Sequence, residues 1–191
     1  MAVSWYDEWE IRLADYEKAA ALAEKNKLPD AAEYRKRLVE ARDELPYNVE
    51  ARDHPEAYAQ FKKGRAKLEK KDYAGARADY DEAIRLNPRC ALYYWRRGGA
   101  RGWLDDDQGN VDDQTKAIEL DPRVAVYFYS RGLARAFLEP QDQAQREARC
   151  ADLEKAVSLL REFDPTSDDL KEYSDKLAKA RSELTGAATK P

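Results

Sequence analysis

The segments AIRLNPR at residues 83–89 and AIELDPR at residues 117–123 are nearly identical and stand 34 residues apart. The same spacing extends outward from them, because Gly64 aligns with Gly98 and Gly98 in turn aligns with Gly132. Further pairs that match at this shift are Ala66 and Ala100, Asp72 and Asp106, Leu86 and Leu120, and Pro88 and Pro122. Agreement at this many positions indicates an internal repeat with a period of 34 residues.

Each repeat unit has the pattern of a helical hairpin. In the second helix of the first unit, apolar residues at helical spacing form one stripe, namely Ala76, Tyr80, Ala83 and Ile84. Pro88 ends that helix because proline cannot continue a helix, and Pro122 does the same in the second unit. Asp72 and Asp106 stand where an N-cap residue would begin each second helix.

A 34-residue helix-turn-helix with these small residues and a closing proline resembles the tetratricopeptide repeat (TPR). The matching residues are Gly64, Tyr73, Ala76, Tyr80, Ala83 and Pro88 in the first unit, Tyr94, Gly98, Ala117 and Pro122 in the second, and Phe128, Gly132, Ala134 and Ala156 in the third. The second unit departs from the pattern, with Asn110 where a small alanine is usual. The resemblance implies an all-α fold, a right-handed α-solenoid of antiparallel helix pairs.

The predicted organisation places three TPR units in the middle of the chain and helical segments at both ends. The boundaries are 1–50 for an N-terminal helical hairpin, 57–90, 91–124 and 125–165 for the TPR units that span 57–165, 166–185 for a C-terminal capping helix, and 186–191 for a disordered tail. The N-terminal hairpin is either a cap or a degenerate fourth repeat. The capping helix has one apolar stripe, which suits it to cover the last repeat: Leu170, Tyr173, Leu177, Ala180 and Leu184.

The third unit carries an insertion. The segment ADLEKAV at residues 151–157 matches ADYDEAI at residues 78–84 at a shift of 73 rather than 68, so five residues are added between Leu138 and Ala151. We expect them to lengthen the turn or the start of the second helix.

Composition excludes several classes of function. The net charge of −4 is too weak and of the wrong sign for a general nucleic-acid binder, and no stretch is long and apolar enough for a membrane span. The N-terminal residues lack the basic and apolar regions of a secretory signal. Cys90 and Cys150 have no metal-ligand spacing and are interpreted as reduced thiols. These features predict a cytoplasmic protein with no nucleic-acid or membrane partner.

Neither catalysis nor metal binding is predicted. His54 is the only histidine and precedes Pro55 in a linker, so no other histidine could serve a catalytic triad or a metal site. The acidic clusters at residues 105–107 and 112–113 lack the order of an EF-hand loop and suit the start of a helix. We therefore expect no enzyme activity, no cofactor and no metal.

Charge is distributed unevenly between the helices of each unit. The three first helices hold ten basic residues and one acid, a charge of +9, whereas the three second helices sum to −8. In TPR folds the first helices line the concave face, so the resemblance implies a basic inner surface. The alternative is that bases at the seventh and eleventh repeat positions pair with acids of their own repeat, as Arg101 could with Asp113. These bases are Lys63, Lys67, Arg97, Arg101, Arg131 and Arg135.

The resemblance also implies a set of ligand-facing positions, and here they form an unusually aromatic groove. The predicted groove residues are Tyr58, Phe61, Lys62, Arg65, Leu92, Trp95, Arg96, Gly99, Trp103, Tyr129, Ser130, Leu133 and Phe137. Such rings are frequent binding hot spots, but they also pack between repeats. Both interpretations stay open for Phe61, Trp95 and Tyr129, whereas packing in the core is favoured for Trp103 and Phe137. Gly99 and Gly102 are expected to leave space beside Trp95.

The predicted function is an adaptor whose basic, aromatic groove binds a peptide or a helix of a partner protein, and an acidic or an aromatic-rich peptide is compatible with Arg65 and Arg96. Some TPR domains hold a C-terminal carboxylate with a set of Lys, Asn and Arg residues. The nearest positions here, Phe61, Arg65, Arg96, Val126 and Ser130, contain no Asn, so that set is absent. The alternative function is a self-assembling scaffold, a homo-oligomer formed through the groove or the N-terminal helix that carries Trp5 and Trp9.

Overall fold

A computed structural model describes residues 53–165 and 167–188, together with residues 18, 21–23, 25–27 and 33–34. The contacts within the chain divide it into two units, Met1–His54 and Pro55–Pro191. In the first unit the described residues between 18 and 25 are helical and end in a turn at Asn26 and Lys27. The predicted Trp5 and Trp9 stripe, and most of the predicted 1–50 hairpin, lie outside the described residues.

The described part of the second unit is entirely helical apart from its turns. Its helices are α1 (Pro55–Glu69), α2 (Tyr73–Leu86), α3 (Ala91–Gly102), α4 (Asp107–Leu120), α5 (Ala125–Ala134), α6 (Gln143–Phe163) and α7 (Asp169–Ala188). Each helix packs chiefly on the one before it and the one after it along the chain, and α3 also touches α5. Contacts between successive helices predominate, and this is the arrangement of a helical solenoid.

The turns inside the first two hairpins have the same backbone geometry. Lys71 and Asp105, which are 34 residues apart, both adopt a left-handed conformation, with φ of 61° and 59°. The next residue in each case is the N-cap, and its carboxylate accepts a hydrogen bond from a backbone amide: Asp72 from Gly75 at 2.9 Å and Asp106 from Gly109 at 3.0 Å. The predicted capping role of both aspartates is confirmed.

The insertion in the third unit lies in the loop between its two helices and at the start of the second helix. The loop between α5 and α6 spans residues 135–142, whereas residues 103–106 suffice between α3 and α4. Helix α6 has 21 residues against 14 in α4, and it is extended at both ends relative to its buried Asp152, the counterpart of Asp113. The added residues thus lengthen the turn and the start of the second helix, and the helix also continues further at its C-terminal end.

Glycines at the eighth repeat position allow the two helices of a unit to approach closely. A Cβ on Gly64 would stand 2.6 Å from Cε1 of Tyr80, and one on Gly132 would stand 3.1 Å from Cγ of Leu153. Tyr80 and Leu153 are completely buried in the second helices of their units. The repeated glycine is therefore a packing residue, because no other side chain leaves room for a large residue opposite.

Helix α7 packs against the third unit. Tyr173, Leu177 and Ala180 are buried, and Leu170 and Leu184 pack against the same core. Helix α7 continues to Ala188, beyond the predicted end at residue 185, and residues 189–191 lie outside the described part of the chain. None of the described helices is long and apolar enough to cross a lipid bilayer.

Candidate functional site

Carboxylates of the second helices pair with half of the ten basic residues on the first helices. Asp113 on α4 is only 3% exposed and accepts two hydrogen bonds from Arg97 on α3, at 2.9 and 2.6 Å. Arg101 lies 3.2 Å from the same carboxylate. Burial lowers the pKa of the Arg97 guanidinium, but the hydrogen bonds and the charge of Asp113 raise it by more, so the net shift is upward.

Ion pairs at the equivalent repeat positions occur in the other two units. Asp152 accepts hydrogen bonds from Arg131 at 3.0 and 2.6 Å and also pairs with Arg135 at 3.0 Å. In the first unit Lys67 pairs with Asp79 at 2.8 Å. Lys63 is the exception, since among the described residues it donates to Gln60 at 3.3 Å and pairs with no carboxylate.

These pairs decide between the two interpretations of the basic first helices. Five of the six bases at the seventh and eleventh repeat positions bind a carboxylate of their own unit, as in the alternative that pairs Arg101 with Asp113. Their charge stabilises the helical hairpins and is not free for a ligand. The positive charge that remains for binding is smaller than the sum of +9 suggests.

Two predicted groove bases, Lys62 and Arg96, form no ion pair with these carboxylates in the described part of the chain. Lys62 is exposed, and its Nζ lies 5.2 Å from the centroid of the Tyr58 ring. Arg65 is partly buried in the same helix. Arg96 is partly buried, its guanidinium lies 4.0 Å from the centroid of the Trp95 ring, and it forms no ion pair in the part of the chain that the structure describes. Its Nε is buried without a hydrogen-bond partner.

Trp95, Arg96, Gly99 and Ser130 come together as a group that we name the central patch. The indole N–H of Trp95 donates to Oγ of Ser130 at 3.0 Å, which joins α3 to α5. The Trp95 ring also packs at a tilt against Tyr127, with 5.9 Å between centroids. One turn further along α3, Gly99 is exposed and has nothing within 4 Å of the place where a Cβ would stand. An aromatic ring, a cation and open space therefore adjoin one another.

Three predicted groove residues are core residues in the structure. Phe61 is fully buried and packs against Tyr80 and Tyr93, with ring centroids 5.8 and 5.3 Å apart. Leu92 is also buried. Tyr129 is buried and stacks on Tyr173 of α7 at 3.8 Å with an angle of 5° between the rings. For Phe61 and Tyr129, which the sequence left open, packing between helices is the outcome.

Trp103 and Phe137 are exposed, although the sequence favoured a buried position for both. Packing in the core was favoured for both, yet they are 67% and 69% exposed. The physical reason is that α3 ends at Gly102 and α5 at Ala134, so neither residue lies on the helical face that the pattern assumes. Trp103 instead stacks on Tyr73 at 5.2 Å, and Phe137 lines a cavity together with Leu133.

Gly102 does not provide the open space that was expected of it. A Cβ on Gly102 would stand 2.7 Å from Nδ2 of Asn110, so the Asn110 side chain already occupies that position. This contact also explains the departure from the repeat pattern. Asn110 fits where alanine is usual because both Gly98 and Gly102 face it.

Solved structures with the same arrangement of helices are TPR domains. The Sgt2 TPR domain from Aspergillus fumigatus matches with a TM-score of 0.60 and 23% sequence identity, over 72% of this chain and 86% of that chain. The Arabidopsis OM64 TPR domain matches with a TM-score of 0.55 and 29% identity, over 65% and 96%. The chain folds as a tetratricopeptide-repeat protein.

A third similar structure is the second TPR domain of the human RPAP3 protein, solved in complex with the HSP70 peptide SGPTIEEVD. It has a TM-score of 0.56 and 23% identity to this TPR protein, over 67% of this chain and 97% of that chain. No protein-family model and no curated protein matches the sequence. The TPR fold is thus established by structure and by the internal repeat.

The residues weighed for catalysis or metal binding have structural explanations. Asp105 is the left-handed turn residue, Asp106 is the N-cap, and residue 107 opens α4. In the described part of the chain no three candidate ligands come together to hold a metal ion. Cys90 and Cys150 are buried free thiols, and burial raises the pKa of Cys150, which makes it a weak nucleophile.

Sequence reasoning missed a set of basic residues near Phe137. Arg146 and Arg149 on α6, and Lys176 and Lys179 on α7, line the same cavity as Phe137. Each pair is spaced three residues apart, which places both members on one face of their helix. That spacing is the signal that could have identified them.

The open position at Gly99 gives a testable prediction about stability. Gly99→Ala is expected to raise the free energy of unfolding by about 0.5–1 kcal/mol, because alanine favours the helix interior and its Cβ meets no neighbour. Urea unfolding followed by circular dichroism measures the change. The matched control is Gly64→Ala, which places a Cβ against Tyr80 and is expected to destabilise by about 1–3 kcal/mol. Equal effects of the two substitutions would contradict the assignment of Gly99 to open space.

Proposed function

We propose that this TPR protein is an adaptor, not an enzyme, and that it binds an acidic peptide or helix of a partner protein at the central patch. The observation that carries the proposal is the state of Arg96. It stacks on an aromatic ring beside open space and has no acidic partner in the described part of the chain, whereas five neighbouring bases are paired. Because no described carboxylate neutralises it, the Arg96 guanidinium is available to the carboxylate of a ligand.

The central patch offers three kinds of contact to a peptide. A ligand carboxylate would form charge-assisted hydrogen bonds with Arg96, which are roughly twice as strong as neutral ones. A ligand side chain would fill the space at Gly99. Trp95 supplies apolar area beside both, and tryptophan and arginine are enriched among the residues that dominate binding energy.

The comparison with RPAP3 supports an acidic peptide as the class of ligand but does not identify the partner protein. That domain was solved with a peptide, and its two glutamates and aspartate make the peptide acidic. The set of Lys, Asn and Arg residues that holds a C-terminal carboxylate in some TPR domains is absent from the sequence here. We therefore propose an acidic internal segment of a partner as the ligand. The cytoplasmic location stays a prediction of the sequence.

Peptide selection followed by charge reversal tests the proposal. A random-peptide display library selected on the chain is expected to enrich acidic sequences. Arg96→Glu is expected to weaken binding of a selected, fluorescein-labelled peptide about tenfold or more, on the order of 1.4 kcal/mol, in fluorescence anisotropy. The matched control is Arg77→Glu, an exposed base on α2 with the same change in net charge, and it is expected to have little effect.

Arg96→Glu is preferable to Trp95→Ala because Trp95 also joins α3 to α5 through Ser130 and Tyr127. Loss of binding in both charge variants, or in neither, would refute the central patch as the binding site. Light scattering over a concentration range examines the self-assembly alternative. A dimer that Arg96→Glu dissociates would favour the scaffold instead of the adaptor.

A further inference from the structure

A cavity lies between the third unit and the terminal helix. It has a volume of about 930 Å³ and is bounded by the end of α5, the loop that follows, the start of α6, and α7. Cavities of roughly 300–1,000 Å³ are the size of ordinary ligand sites. We name it the terminal pocket, and its position follows from the insertion, which extends both the loop and the start of α6.

Basic residues dominate the charge of the terminal pocket. Arg146 and Arg149 reach it from α6, Lys176 and Lys179 reach it from α7, and Glu183 is the one acid among its lining residues. Glu183 pairs with Arg149 at 2.6 Å and lies 3.9 Å from Lys179. Two positive charges are therefore offset within the pocket by a single carboxylate, and the pocket keeps a net positive charge.

Arg146 and Lys176 are the bases that remain for a ligand. Neither forms an ion pair in the part of the chain that the structure describes. One belongs to α6 and the other to α7, so they approach the pocket from two different helices. The Nε of Arg149 is also buried without a hydrogen-bond partner.

The other wall of the pocket is apolar. Leu133, Ala136 and Phe137 contribute to it, and Phe137 is 69% exposed. These three residues give an apolar surface on which a ligand side chain can pack. An inorganic anion would satisfy the bases and leave the apolar wall in water. The two walls together match a ligand that carries both carboxylates and an apolar side chain.

We propose that the terminal pocket binds an acidic peptide segment whose apolar side chain packs on Phe137 and Leu133 and whose carboxylates pair with Arg146 and Lys176. This inference rests on the peptide-binding role proposed above but not on the central patch, and it adds a second subsite. Ser130 of the central patch and Leu133 of the pocket are one turn apart on α5, a rise of about 4.5 Å.

Paired charge-reversal variants test the terminal pocket. The probe is a fluorescein-labelled peptide of alternating glutamate and leucine, compared with the same peptide carrying glutamine for glutamate. The variant Arg146→Glu with Lys176→Glu is expected to weaken binding of the acidic peptide about tenfold or more in fluorescence anisotropy. The control Lys155→Glu with Lys171→Glu changes two exposed lysines on the same helices, outside the pocket, and is expected to weaken it less than about twofold.

Backbone amide signals of two glycines locate the bound peptide. Gly186 lines the terminal pocket and Gly99 belongs to the central patch, so nitrogen-15 NMR separates the subsites. The acidic peptide is expected to shift the Gly186 signal, and this shift is expected to disappear in the variant Arg146→Glu with Lys176→Glu. If the peptide still shifts the Gly186 signal in the Arg96→Glu variant, the result would support binding at the terminal pocket, even if binding at the central patch is refuted.

Several results would overturn the terminal pocket. They are equal loss of binding in both double variants, equal binding of the glutamine peptide, displacement of the peptide by an equal concentration of inorganic phosphate, and no binding of the acidic peptide at all. A shift of Gly99 without a shift of Gly186 would also overturn it and would leave the function proposed for the central patch intact.

Discussion

Replacing Asp113 with alanine is expected to lower the free energy of unfolding by about 3 kcal/mol, the lower end of the range for breaking a buried ion pair, because Arg97 and Arg101 lose their shared buried carboxylate and keep only exposed acidic partners. The Asp113 side chain is 4% exposed, and the side chains of Arg97 and Arg101 are 15% and 24% exposed. One buried carboxylate thus bridges two partly buried guanidinium groups, whose other partners, Asp81 and Asp106, are exposed. Its removal leaves both guanidinium groups with these weaker pairs, which costs more than the net contribution of an ion pair to stability.

Urea unfolding measured by circular dichroism tests this expectation, and the chain offers a matched control. Asp81 pairs with the same Arg97 at 2.8 Å, but its side chain is 49% exposed. Because exposed ion pairs contribute about 0–1 kcal/mol, Asp81→Ala is expected to change stability by no more than that. A cost below about 1 kcal/mol for Asp113→Ala would show that the buried network does not support the second unit.

Tyr173→Ala is expected to cost about 3–5 kcal/mol, the range for removing a large aromatic residue from a core. Tyr173 is 3% exposed and stacks on Tyr129, and both rings belong to the core that joins the third unit to α7. Burial raises the pKa of both tyrosines, and the hydroxyl of Tyr129 donates to Glu172. Loss of the ring is expected to detach α7 and with it the terminal pocket.

Limited proteolysis and urea unfolding together measure this effect. Tyr173→Ala is expected to make α7 susceptible to cleavage while the hairpins of α1 to α4 stay protected, since a solenoid is stabilised by contacts between neighbours. The control is Tyr173→Phe, which keeps the stacked ring and is expected to behave like the original chain. Equal protease resistance of the alanine and phenylalanine variants would show that the stack does not hold α7.

Several features of the fold could be predicted from the sequence because they depend on local chemistry. Proline cannot continue a helix beyond its first turn, so Pro88 and Pro122 mark the ends of α2 and α4. Asp72 and Asp106 cap helices because their carboxylates reach amides only three residues away. The apolar stripe of α7 follows from helical spacing alone.

The candidate site could be predicted only in part. The sequence predicted Trp95, Arg96 and Ser130 as groove residues on the basis of repeat position, and in the structure Trp95 contacts the other two. It also named Arg101 and Asp113 as an alternative pair, which the structure contains. It did not show that five of six bases are neutralised within their units, since that depends on atoms of two helices meeting to within hydrogen-bond distance. Nor did it show that Asn110 fills the space at Gly102.

The sequence by itself determined the 34-residue period, the helical hairpins, their caps and the covering role of the last helix. Each of these follows from interactions between residues close in the chain or from a pattern repeated along it. Only the tertiary structure decided which charges are left for a ligand and which aromatic rings face solvent. Trp103 and Phe137 are exposed because their helices end before them, and the terminal pocket is basic because α6 and α7 bring their charges together. The exposure of a side chain and the pairing of its charge depend on the positions of neighbouring helices, and the sequence of one helix does not specify those positions.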